Sequence, residues 1–416
     1  MSRISIGKKL YLKGRVGWKG LKKSEYLDSS EYRIINASAL ENEKINWNKA
    51  GYISKDRYEE SPEIMLQKND ILISKDGTLG KIGYVEQLDS KTTVASGIFV
   101  LRNTKPEVIN TRYLYQLLKS DIFKKFIKNN KAEGSTINHL YQADLVNFEV
   151  DFPSLFLQNS ISNILDSIDS KISINNKIND NLYEQMKFLY DYYFLQFDFP
   201  NEGGKPYKSV GGQMVWNKIL KRHIPANWMN KNIKEISSIT WGQCPDGKNI
   251  LDKTTQGQNL LDYCSGAGDM KGGFVVDCQA KTDNSKRLSH KNDILISIAG
   301  KIGDICVVDH TISLGRAAMA YTANSHIELP FIYLTLCTLN KKMTIISTGS
   351  IQKVINNAHI DDFNFAYSEE VVKQFGQATI HIFQKLMYIA NENRELAKLR
   401  DFLLPLLMNG QATIKD

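Results

Sequence analysis

The hexapeptide Asn-Asp-Ile-Leu-Ile-Ser occurs twice, at 69–74 and at 292–297, and no other feature constrains the fold as tightly. Self-similarity of this kind marks a structural unit used more than once. The match extends on both sides. Gly80-Lys81-Ile82-Gly83 returns as Gly300-Lys301-Ile302-Gly303, Gly51-Tyr52-Ile53 as Gly273-Phe274-Val275, and Gly134-Ser135 as Gly349-Ser350. The spacing between matched pieces shrinks along the chain, as small loop deletions in diverged copies would make it.

Each copy reads as strand-rich with a helix near its end. In the first, 70–74, 82–85 and 94–101 are short β-branched or apolar runs punctuated by glycine, and 111–129 has helical spacing. In the second, the runs are 294–298, 305–308 and 317–321, followed by a helix around 329–341. Gly80-Lys81-Ile82-Gly83 reads as a tight turn between strands.

A long helix follows each copy. From Gln158 to Phe194, spacings of 4 and 3 pick out Ile161, Leu165, Ile168, Ile172, Asn175, Asn179, Leu182, Met186, Leu189 and Tyr193. This is the heptad seam of a helix packed along a partner, spanning about 55 Å. The same spacing returns as Phe375, Thr379, Ile382, Leu386, Ile389, Asn393, Leu396, Arg400, Leu403 and Leu407, with Asn393 at the position of Asn179. A seam asparagine costs stability but fixes register. The two seams predict an intramolecular, antiparallel helix pair, because each helix leaves its globular unit in the same sense. The fold class expected is therefore α+β: two similar strand-rich domains separated by a pair of long, coiled-coil-like helices, with a pseudo-twofold internal repeat. The boundaries read as a first domain at 1–153, a central helix at 154–198, a polar linker at 199–227, a second domain at 228–368 and a distal helix at 369–416.

The net charge of +8 is carried mostly by the first domain. There, Lys8, Lys9, Lys13, Arg15, Lys19, Lys22 and Lys23 surround Trp18 without an intervening acid. Such a run can neutralise phosphates while the aromatic packs or stacks. Arg15, Trp18, Lys19, Lys22 and Lys23 are accordingly candidates for a DNA face. Lys75, Lys81 and Lys301 join them, since they sit in or beside the repeated glycine turns.

Other chemistries find no support in the residues. The nine prolines include no Pro-Pro pair, so the Asp/Asn-Pro-Pro-aromatic loop of an amino-methyltransferase is missing. Gly77-Thr78-Leu79-Gly80-Lys81 is too short for a phosphate loop. The seven histidines lack metal-binding spacing, and the five cysteines (244, 264, 278, 306, 337) form no CxxC pair. Asp70 with Asp76, or Asp293 with Asp304, lacks the Glu-x-Lys that completes a nuclease core. No apolar run reaches the ~18 residues of a membrane span, and the N-terminus lacks the apolar core of a signal peptide, so a reduced, cytoplasmic protein is expected. A binding protein, with no catalytic residue and no metal of its own, is the reading that remains.

The order of these pieces resembles the DNA-specificity subunit of type I restriction–modification systems over essentially the whole chain. The resemblance is carried by residues 69–85 with 292–308, by Gly134–Leu140 with Gly349–Ile355, and by residues 163–182 and 395–410, which look like the family's central and distal helical regions. It implies target-recognition domains that each read one half of a split sequence on double-stranded DNA. It also implies helices that dock two methyltransferase subunits carrying S-adenosylmethionine, with restriction/translocase subunits supplying ATP/Mg-dependent cleavage, and no cofactor on this chain. Ser135 and Thr136, with Ser350 and Gln352, occupy the family-like loop before each long helix. The chain departs from the pattern at its start. Trp228–Ile233 lead into the second domain, whereas the first begins at Ser2, so packing of an N-terminal lead segment against the distal helix should be slight. Two other readings stay open: a specificity module serving a single-chain restriction–methylation enzyme, and a coiled-coil scaffold or adaptor without sequence preference.

Overall fold

The computed structural model describes residues 2–15, 21–130, 139–271, 273–346 and 363–412. The chain divides into two units, Met1–Lys171 with Leu396–Asp416, and Ile172–Glu395.

Each unit is built on an antiparallel four-stranded sheet of the same order. In the first unit the order is Tyr11–Gly14, Ile98–Arg102, Ile71–Ser74, Ile82–Tyr84. In the second it is Ser237–Trp241, Ala318–Ala323, Ile294–Ser297, Ile305–Val307. The repeated hexapeptide supplies the third strand of both and the turn before it. Asn69 and Asn292 enter that turn with left-handed backbone, φ 72° and 75°, which asparagine tolerates better than most residues. Ile71 and Ile73 pack with Phe99, Leu101 and the helices on one face, while Leu72 packs with Ile98 and Val100 on the other. Ile294 and Ile296 separate from Leu295 in the same way. A sheet covered on both faces needs continuous apolar strands, which is why Ile-Leu-Ile does not alternate with polar residues.

A second layer covers one face of each sheet. It contains a parallel pair in both units, Tyr32–Ile35 with Lys91–Val94 and Leu261–Cys264 with Ile312–Leu314. The strand that precedes each long helix pairs with a strand ahead of the four-stranded sheet, Glu149–Phe152 with Ser2–Ser5 and Asn364–Tyr367 with Met229–Asn232. Ser2–Ser5 is thus the counterpart of the lead into the second domain, and Ile4, Ile6 and Leu10 share a core with Leu404, Leu407 and Met408. The slight packing expected there is corrected: a short lead suffices because strand pairing places Ile4 and Ile6 inward.

The expected helix at 111–129 is two helices, Thr111–Lys119 and Asp121–Asn129, because Ser120 is extended and its hydroxyl bonds the Leu117 carbonyl at 2.6 Å. The helix expected near 329–341 runs Leu329–Ile346. Residues 199–227 are not an open linker. Met214–Asn217 and Arg222–Pro225 form an antiparallel hairpin, Phe199 stacks on Tyr207 and Trp228 at 4.8 and 5.1 Å, and Arg222 lies 4.5 Å above the Phe197 ring. Gly204 and Gly211 take left-handed backbone, φ 71° and 91°, while Pro200 and Pro206 bridge each other.

The central helix spans Leu155–Tyr190 and closes in a π turn at Asp191–Leu195; the distal helix spans Glu369–Met408. In the first unit, Ile161 and Leu165 share a core with Leu404, Leu407 and Met408, and Arg400 Nη1 lies 3.2 Å from Asp169 Oδ1. In the second, Asn175 meets Glu392 and Asn393, while Tyr190 and Tyr193 meet Phe375. Both sets of contacts are antiparallel. Of the expected seam, Ile161, Leu165, Ile168, Asn175, Met186, Tyr193, Phe375, Thr379, Leu386, Ile389 and Leu407 are buried, and Ile172, Asn179, Leu182, Leu189, Ile382, Asn393, Leu396, Arg400 and Leu403 half-buried. Asn393 bonds Asn175 and Asn176, because antiparallel pairing sets it opposite residues other than its repeat counterpart Asn179. The buried stripe is also wider than the seam, taking in Val372, Phe383 and Met387, because the distal helix packs on its globular layer as well.

Candidate nucleic-acid interface

Antiparallel pairing decides which loops share an end of each sheet. In the first unit Gly14 lies opposite Phe99, Ser74 opposite Ile98 and Ile73 opposite Ile82. The chain leaving Gly14, the turn 75–81 and the turn 95–97 therefore emerge at one end. His139 is tied to the same place, bridged to Asp76 with a contact between the imidazole and the carboxylate, and Leu140 N donates to the Lys75 carbonyl at 2.9 Å. The chain at Arg15, the glycine turn and the residues from His139 onward converge there.

Serine of the hexapeptide builds the turn. Ser74 Oγ donates to the Thr78 carbonyl (2.6 Å) and accepts from Lys81 N (2.9 Å), with Gly80 at φ 75°. Ser297 Oγ donates to the Lys301 carbonyl (2.8 Å) and accepts from Asp304 N (2.9 Å), with Gly300 at φ 73°. The repeated glycines thus serve a strand-to-strand turn.

The candidate residues separate once placed. Lys75 Nζ lies 4.9 Å above the Phe99 ring. Lys81 lines a cleft of about 540 Å3 with Glu41, Glu43, Lys119 and Lys124, three lysines against two glutamates; Glu43 lies 3.6 Å from Lys119 and 3.8 Å from Lys124. Lys301 is exposed and paired to Asp304 at 2.5 Å. Lys22 and Lys23 are exposed, on a turn capped by Glu25. Arg15 is a correction: it is buried, donates to the Arg57 carbonyl at 3.3 Å and lies 3.6 Å from Glu60. Burial pushes its pKa down. Trp18, Lys19, Ser135, Thr136, Ser350 and Gln352 lie outside the described residues.

The second unit adds residues that charge runs do not reveal. The first strand of its four-stranded sheet ends at Trp241, opposite Met319, so 242–249, 298–304 and 315–317 share the corresponding end. Gln243, Lys248 and Arg316 are exposed there, and Arg316 has no hydrogen-bond or ion-pair partner among the described residues. Matching the strands of the two copies, rather than counting lysines, is the signal that would have found them.

The carboxylates that could suggest a nuclease are structural. Asp70 receives Arg102 at 2.7 and 2.8 Å and Gln67 N at 2.7 Å. Asp293 receives Thr322, Ser289 and His290 N. No group of His, Cys, Asp and Glu among the described residues could hold a metal. Burial raises the Cys306 thiol well above its ordinary value and Cys337 to about 12, which leaves them poor nucleophiles. His310 sits between Asp262 (3.0 Å) and Asp309 (2.8 Å), and Asp309 is also paired with Arg394 of the distal helix.

Outward apolar residues mark the helices. In the first unit these are Phe156, Ile164, Leu399 and Phe402; in the second, Ile174, Ile178, Phe188 and Tyr388. Phe188 and Phe402 are repeat counterparts, as are Ile174 and Tyr388. No helix among the described residues is long and apolar enough to cross a membrane.

A family model described as the type I restriction modification DNA specificity domain matches residues 17–184 and 225–400. The chain is similar to one from Methanocaldococcus jannaschii assigned as the specificity subunit of the MjaX type I restriction enzyme, with 23% identity over 95% of this chain and 91% of that one. It is 22% identical to the MjaIX specificity subunit of the same organism, over 80% of this chain and 76% of that one. Its fold resembles the crystal structure of a type I restriction–modification S subunit from M. genitalium, with TM-score 0.60, 19% identity, and 98% and 95% of the two chains covered.

Proposed function

This chain belongs to the type I restriction modification DNA specificity family, and we propose that it reads a bipartite target on double-stranded DNA, one half-site per unit. The observation that carries this reading is the duplication of one loop cluster. The same four-stranded sheet order, closed by the same serine-held turn, presents loops at the corresponding end of both units. In the first unit that end carries Lys75 and Lys81; in the second it carries Gln243, Lys248, Lys301 and Arg316. Lysines there would set the protein on phosphates. Gln243 and Arg316 have the donor geometry to read base edges in the major groove.

The outward apolar residues of the helices serve as docking positions for two methyltransferase subunits, with the counterparts Phe188 and Phe402 as equivalent anchors. Their exposure on otherwise polar helix faces supports the assignment, because isolated large aromatics left in water commonly mark interfaces. In this reading the chain catalyses nothing and binds no cofactor. The methyltransferase subunits bring S-adenosylmethionine, the restriction/translocase subunits bring ATP and Mg, and the assembly works in the cytoplasm.

Mapping methylated adenines across the genome in cells with and without this chain tests the proposal. A split motif that disappears with the chain is expected. Methylation of DNA by the purified chain alone, or a motif that persists in its absence, would overturn it.

A further inference from the structure

The hairpin of Met214–Asn217 and Arg222–Pro225 falls almost wholly between the two family-matched stretches and plays no part in the sheet-end loops. From Gly203 to Lys234 the chain contains no Asp or Glu, yet seven Lys and Arg (Lys205, Lys208, Lys218, Lys221, Arg222, Lys231, Lys234). Two of these are used internally: Arg222 donates to the Leu195 carbonyl at 2.8 Å above Phe197, and Lys231 lies 4.2 Å over Tyr367. Lys205, Lys208, Lys218 and Lys221 are exposed; Lys208 has Asp198 nearby, and the other three have no ion-pair partner among the described residues.

The hairpin is anchored on one face only. Ile224 is 1% exposed, packed into the aromatic core that holds Phe197, Phe199 and Trp228. Alternation along a strand sends the next pair outward, where Trp216 faces His223 across the strands with ring centroids 5.2 Å apart. Trp216 is 56% exposed and Ile219, at the turn, 60%. The hairpin thus holds an aromatic in water, with Lys218 and Lys221 exposed at its turn.

The geometry points to a second, sequence-independent nucleic-acid contact: the outer face of this hairpin binds the phosphate backbone of duplex DNA. The inference rests on the proposed function and adds a contact outside the recognition loops. Charge favours this occupant. A stretch without acids meets a polyanion with no like-charge penalty on its own side, and each lysine can displace a condensed counterion. Trp216 then packs against sugar or a frayed base, and His223 supports its edge.

The test compares full-length chains on a mixed-sequence duplex that lacks the target, across a salt series. Replacing Lys205, Lys208, Lys218 and Lys221 by Gln should flatten log affinity against log salt by about 0.9 per lost contact. Trp216→Ala should lower affinity about fivefold to tenfold, the lower end of what an aromatic contact contributes. In both variants the methylated motif should be unchanged. Lys81→Ala with Lys301→Ala and Arg316→Ala serves as the reference. If that variant loses affinity while the hairpin variants keep the wild-type slope, the hairpin contact is overturned and the DNA reading stands. If none of the variants changes, both fall. A hairpin variant that keeps its slope but no longer assembles with the methyltransferase subunit would assign this face to an acidic protein, which also overturns the proposal.

Discussion

Asn175 Nδ2 donates to Asn393 Oδ1 at 2.8 Å and to Glu392 Oε2 at 2.6 Å, so one buried amide meets two acceptors on the distal helix. Asn393 in turn donates to Asn176 Oδ1 at 2.8 Å. A one-turn slip of either helix would leave Asn175, 2% exposed, facing apolar side chains. Replacing Asn175 by Leu should cost about 1–3 kcal/mol, because it strands acceptors that the amide now satisfies. Leu386→Asp, at a position 1% exposed, should cost more, since it buries a charge with no partner. Urea titrations of the full chain would rank the two, and equal midpoints for wild type and both variants would refute the pairing.

The third strand of each sheet offers an internal comparison. Asp70 is bound by a guanidinium, Asp293 by the hydroxyl of Thr322 at 2.6 Å. Arg102→Ala removes the guanidinium partner of a fully buried carboxyl group and should cost about 3–5 kcal/mol. Thr322→Val removes one of several hydrogen bonds to Asp293 and should cost about 1–3 kcal/mol. A reversed order in denaturant midpoints would show that the two aspartates are not equivalent supports.

His310 gives the second unit a pH dependence. Hydrogen bonds to Asp262 and Asp309, opposed by burial, raise its pKa from 6.5 to about 10. A raised folded-state pKa stabilises fully below the unfolded value, and the contribution disappears as pH climbs from about 6.5 through about 10. The melting temperature should fall across that window, and His310→Gln should flatten the decline while lowering stability at neutral pH. An identical pH profile in the variant would remove His310 from the account.

The proposed docking on the helices predicts a stoichiometry. Phe402→Glu and Phe188→Glu should each weaken the binding of one methyltransferase copy, and the double variant should bind neither. Native mass spectrometry of the reconstituted complex reads the count directly. Two copies bound to the double variant would move the interface elsewhere.

The lysines ahead of the first turn test how charge is used. Exchanging Lys19, Lys22 and Lys23 for Ala should weaken binding to cognate and scrambled duplexes alike and flatten the salt dependence by about 0.9 per phosphate contact, with sequence preference retained. Lost preference at unchanged general affinity would instead place them at base edges.

The sequence by itself determined what is local or repeated. The hexapeptide placed a strand in each copy, because three consecutive apolar residues between a left-handed asparagine and a turn-building serine suit a sheet covered on both faces. The seam spacing placed both long helices, since helical periodicity can be read without knowing the partner. Tertiary structure alone decided which distant segments meet. It set Asn393 against Asn175, brought Arg57 and Glu60 onto Arg15 and so withdrew that arginine from the surface, and packed Ile224 of a hairpin, whose composition suggests a linker, into one core with Phe199 and Trp228. It also gathered Arg316 and Gln243 at one sheet end. Burial and partnership depend on contacts between residues far apart in the chain, and neither a charge run nor a glycine count records where those contacts fall.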